Sequence, residues 1–213
     1  MAALCFIQGL LEELNGVATL LDVREYLVGK TTHASIPGAR MGLPEQLFVA
    51  EEADSVELAL YIEPDILAQL EVDRPEQCLH NGNLESFCVA LEGVSHFVKV
   101  VWSARMGRSI SALELEIQAE VDKFIAAGEL LKRQGMSRGA AGRALRKLLF
   151  EGYELRDGVP EDERERYVVA SRAAKLFCED LLEEYCSDPT PRRMTEAARM
   201  FYRSGLSAMV RSV

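Results

Sequence analysis

Residues 83–107 read NLESFCVALEGVSHFVKVVWSARMG. Leu84, Phe87, Val89, Leu91, Val94, Phe97, Val98, Val100, Val101 and Trp102 leave almost no side of a helix polar, which is the mark of a helix buried at the centre of a protein. Asn83 suits the N-cap, and the glycine at 107 suits the end. The longest uncharged apolar runs fall short of the ~20 residues a membrane span requires, so the stretch is predicted to be a core helix and no membrane span is expected.

A second helix follows at once. Ser111 and Glu114 stand at capping-box spacing, and Leu113, Ile117, Val121 and Phe124 form its apolar face. The short link predicts antiparallel neighbours, an αα-hairpin over 83–133. The expected fold is mainly α: a single-domain helical bundle over 1–213, built around this hairpin, with one small β-hairpin near residues 47–63.

Outward from that centre, residues 3–28 carry a helical apolar period broken at Asn15-Gly16. Residues 29–44, GKTTHASIPGARMGLP, have no period and are predicted as a long loop. Residues 47–63 change to a period of two, with Val56, Leu58, Leu60 and Ile62 on one side and Glu57, Ala59, Tyr61 and Glu63 on the other, which predicts a hairpin turning at Ala53-Asp54-Ser55. Pro64 opens a short helix through Leu70. Further helices are expected near 138–151, from about 161 to 185, and in 189–213, where Thr190 is the expected N-cap, Pro191 the first helical residue, and Arg192, Arg199 and Arg203 line one face of an amphipath.

The chain has 213 residues with 24 Lys+Arg against 34 Asp+Glu, a formal net charge of −10. Such a balance argues against a general nucleic-acid binder or a protein of anionic membrane surfaces. The N-terminus is apolar but has no positive n-region, and no CxxC pair occurs among the five cysteines, so reduced thiols and a cytoplasmic location are expected. A zinc site from Cys78, His80 and Cys88 falls one ligand short of a tetrahedral set.

Two constellations carry candidate chemistry. On the first helix Glu85, Glu92, His96, Lys99 and Ser103 fall within about 60° of one another at 100° per residue. On the second, Glu116, Glu120 and Lys123 flank the core face. Glu92, His96, Glu116 and Glu120 are the candidate ligands for a divalent metal, or members of an acid/base pair. Glu92-x-x-x-His96 departs from the Glu-x-x-His spacing of helical di-iron sites, and a salt-bridged seam is the plainer outcome.

The second constellation is the basic run LLKRQGMSRGAAGRALRKL at 130–148, with Lys132, Arg133, Arg138, Arg143, Arg146 and Lys147 and no acid. It suits an acidic protein surface, or phosphates of a nucleic acid or nucleotide. It also suits the chain's own acids, since residues 45–76 hold ten acids and one arginine. The hydroxyls around His33 form no nucleophile elbow. With no complete catalytic or cofactor motif, the leading expectation is a non-catalytic cytoplasmic interaction or regulatory module that binds another macromolecule, a protein first, through segregated acidic and basic faces. The alternatives are a metal-dependent enzyme on the 83–133 hairpin and a nucleic-acid or phosphate binder on the basic segment.

Overall fold

A computed structural model describes residues 1–51, 55–151, 161–187, 191–206 and 209, with side chains at all of these except 138, 151, 161–163, 183–187 and 191–194. Among the described residues are eight α-helices and a three-stranded sheet, a mainly helical fold with a small β element. The contacts gather in two compact units, Met1–Glu13 with Val17–Ser109, and Leu14–Gly16 with Ile110–Val213.

The first unit runs α1 (Ala2–Asn15), a 3-10 turn (Val23–Tyr26), β1 (Leu27–Val28), α2 (Lys30–Ser35), β2 (Glu45–Glu51), β3 (Val56–Ile62), α3 (Pro64–Val72) and α4 (Leu84–Arg105). The expected hairpin is β2 against β3, antiparallel from Glu45 opposite Ile62 to Glu51 opposite Val56. Its turn lies outside the described residues except for Ser55. A third strand joins it: β1 pairs parallel to β3 with Leu27 opposite Leu60, giving the order β1-β3-β2. Two residues carry no readable period, so β1 is visible only through its partner.

Both faces of β3 are covered at its C-terminal end. Leu60 and Ile62 are buried beside Gly93 of α4. On the other face Tyr61 is equally buried, its ring stacked on His33 with centroids 3.9 Å apart. His33 belongs to α2, so the stretch predicted as a loop at 29–44 contains a short helix that closes this side of the sheet. Six residues are too few to display a helical period.

By length and mean hydropathy α4 would suffice to cross a membrane, but 78% of its most apolar window is buried within the protein. That is the behaviour of a core helix. Asn83 stands at the N-cap position, as expected, but makes no side-chain cap. Its amide instead donates to the carbonyls of Cys78 (2.9 Å) and Asp73 (3.3 Å) and its oxygen accepts the His80 N–H (2.9 Å), tying down the turn before the helix. The α4 C-terminus is closed by Gly107 at φ +61, a left-handed position that costs glycine little; Arg108 N–H then reaches the Ser103 carbonyl (2.9 Å) and Gly107 N–H that of Ala104 (3.0 Å).

The second unit contains α5 (Ala112–Arg133), α6 (Arg138–Arg146), α7 (Glu161–Ser187) and α8 (Pro191–Arg203). The capping box at the start of α5 is complete: Glu114 N–H donates to Ser111 Oγ (3.2 Å) and Ser111 N–H to Glu114 Oε2 (3.1 Å). α5 packs on α6 and α7, burying Ile117, Val121 and Phe124 in a core shared by Leu145, Ala170, Ala174 and Leu181. Phe177 and Phe201 stack at 4.1 Å between α7 and α8. Pro191 is the first residue of α8, as expected, while Thr190 falls outside the described residues.

The helix expected over 138–151 is α-helical only to Arg146 and widens into a π turn over Lys147–Glu151. The arginine face of α8 is not simply solvated. Arg199 Nε–H donates to the Leu14 carbonyl (3.3 Å) and Arg203 Nη2 to that of Gly16 (2.8 Å). Carbonyls left over where α1 ends are thereby satisfied.

Candidate functional site

The polar stripe of α4 lies largely indoors. Ser95, His96, Lys99 and Ser103 are buried, Glu92 is half-buried, and Glu85 at the helix start is exposed. Lys99 Nζ stands 5.3 Å from the Trp102 ring centroid, a cation over a π face. Glu92 and His96 belong to the first unit, Glu116 and Glu120 to the second. Within the second unit both carboxylates have cationic company: Arg166 Nε is 3.7 Å from Glu116, and Lys123 Nζ donates to Glu120 Oε1 at 2.8 Å. Each of these two carboxylates thus has a cation beside it, as burial demands.

Among the other weighed groups, His80 has both ring nitrogens engaged. Nδ1 accepts the Gly82 N–H (3.0 Å) and Nε2 meets Asp73 Oδ1 (3.2 Å), which leaves no lone pair for a zinc ion beside Cys78. Cys178 is fully buried, and burial first, then the nearby carboxylates of Glu120, Glu179 and Asp122, push its thiol up, so it is no nucleophile. His33 is a core histidine, its Nε2 3.1 Å from Gln46 Oε1. Beside it Tyr61 donates to Glu63 (2.6 Å), and burial with this hydrogen bond raises the phenol to about 12.

The basic run is sorted by its neighbours. Glu129, one residue before the run begins, accepts Lys132 (2.5 Å) and Arg133 (3.0 Å) at i+3 and i+4. Arg146 approaches Glu179 of α7 at 3.4 Å. Arg138 is the first residue of α6, and its side chain lies outside the described ones. Arg143 and Lys147 are exposed, and among the described residues no hydrogen bond or ion pair engages either. The helix presenting them is seated by its other face: Ala141 and Leu145 are buried, and a Cβ on Gly142 would stand 2.2 Å from Leu182 of α7. Only glycine permits so close an approach. The outward surface is therefore Arg143, Arg146 and Lys147, with Leu148 47% exposed at its end on the π turn and Met136 41% exposed before the helix. Single-turn π segments inside α-helices are frequent at functional sites.

Burial works to raise the Glu129 carboxyl, but the hydrogen bonds from Lys132 and Arg133 outweigh it and hold the group below its usual 4.5. A carboxyl depressed on folding contributes stability above its unfolded value, and that contribution is lost as pH falls through the folded one. The stability difference between wild type and Glu129→Gln, from urea unfolding, is expected to be steady above about pH 5.5 and to shrink below 4.5. A difference unchanged down to about pH 3 would contradict the pairing.

Compared with known protein families, with curated proteins and with solved structures, the chain matches none. Functional inference therefore rests on the side chains themselves.

Proposed function

We propose that the chain is a non-catalytic interaction module that binds an acidic surface of a protein partner through the outer face of α6. One observation supports this above the others: Arg143 and Lys147 stand unengaged beside the exposed apolar side chain of Leu148. Surface helices ordinarily turn leucine inward. Arginine with apolar side chains is the composition of protein interfaces, whereas a phosphate backbone asks for cations alone. Among the described residues Cys5, Cys78, Cys88 and Cys178 form no disulfide, which suits a reducing compartment, and the cytoplasm is the proposed location.

Fluorescence anisotropy with two labelled probes tests the reading: a peptide of alternating Glu and Leu, and a single-stranded oligonucleotide of equal charge. The full chain is expected to bind the peptide more tightly, with an affinity that falls as salt rises because exposed charges are screened over ~8 Å at physiological ionic strength. Tighter binding of the oligonucleotide would shift the reading to phosphate recognition. Binding of neither probe at low salt would remove this face from consideration.

A further inference from the structure

The first unit carries an open pocket of about 370 Å³, which the interaction reading does not use. Its walls are the Thr19–Leu21 segment, Val56 and Leu58 on β3, and the last turns of α4 at Val101 and Arg105. That volume falls in the range of small-molecule sites, and the make-up matches: apolar walls with few polar groups.

The rim is held in a costly shape. Leu20 sits at φ +58, in the left-handed region that a branched side chain rarely enters. Its neighbours enforce this. Thr19 N–H donates to Glu12 (3.0 Å), the Thr19 carbonyl accepts Arg105 Nη1 (2.6 Å), and the Leu21 carbonyl accepts Gln8 Nε2 (2.6 Å). Conformations of this kind persist where surroundings overdetermine them, and they cluster at ligand clamps. The result leaves Leu20 78% exposed, with Leu21 and Val56 exposed beside it.

Arg105 decides what the pocket would hold. Its guanidinium spends one N–H on Thr19, and among the described residues no carboxylate pairs with it. A guanidinium carries five donors in a fork that fits a carboxylate. The carbonyls of Ser103 and Ala104 at the end of α4 are already taken by Arg108 and Gly107 N–H groups, so they do not present bare acceptors against an anion. We propose that this pocket binds an amphipathic monocarboxylate, its chain or ring on the apolar walls and its carboxylate on Arg105.

Calorimetric titration of the full chain with decanoate and with decanol, followed by backbone amide shifts, tests it. Decanoate is expected to bind more tightly than decanol and to move the amides of Leu20, Leu21 and Val101. Arg105→Gln keeps a donor for Thr19 and removes the charge; it should weaken decanoate at least tenfold and leave decanol unchanged. Ala104→Phe fills the pocket and should abolish binding of both while the amide spectrum stays folded. Should Ala104→Phe not fold, the Arg105→Gln comparison and the shift map decide alone. No binding of decanoate by the wild type at about 1 mM, equal binding of the two probes, or shifts confined elsewhere would overturn the proposal.

Discussion

Replacing Phe97 by alanine is expected to lower the unfolding free energy by about 3–5 kcal/mol. The ring is wholly buried on α4, with Tyr26 tilted against it at 5.0 Å between centroids. Truncation removes the transfer energy of the ring and opens a cavity that a helix packed on a sheet closes only in part. The loss has a visible local consequence, since Tyr26 would surrender its ring partner. Urea unfolding of the two proteins measures the effect, and a loss under about 1 kcal/mol would mean that α4 does not build the core of its unit.

In the second unit the largest polar effect is expected at Asp122. Its carboxylate is buried on α5 and its Oδ1 accepts N–H groups from Asn15 (3.0 Å) and Gln118 (2.9 Å), two amides that are themselves buried. Asp122→Ala leaves both donors without their acceptor in a place water does not reach, a cost of about 2–4 kcal/mol. Asp122→Asn retains an oxygen at the same site and should cost less than half as much. Equal losses for the two variants would show that the carboxylate charge, not acceptance of these bonds, carries the stability.

How much of this was legible in the sequence depends on the range of the forces involved. α4, the α5 capping box, the β2/β3 hairpin and Pro191 at the start of α8 are set by neighbours within a few residues, and local pattern reveals them. β1 and α2 are too short for a period to emerge, and each is stabilised by a partner remote in sequence, β1 by β3 and α2 through His33 stacked on Tyr61. Asn83 stands at the N-cap as the pattern indicates, but one amide can cap a helix or hold the preceding turn, and here the turn wins. The neutralisation of Lys132 and Arg133 was within reach: Glu129 lies at i−3 and i−4, just outside the stretch that reads as free of acids. The pocket was not, since it joins segments around residues 20, 57 and 103 that only the fold brings together.

The role assigned to α6 is tested most directly by reversing both of its unengaged cations, Arg143→Glu with Lys147→Glu, in the full chain. The two residues are exposed and, among the described residues, touch no acid of the chain, so the unfolding free energy should change by no more than about 0.5 kcal/mol per substitution. Affinity for the Glu/Leu peptide, read by anisotropy at low salt, should fall at least tenfold. Undiminished affinity in a folded double variant would contradict the account, and unfolding of the variant would show that these charges serve the chain's own structure instead.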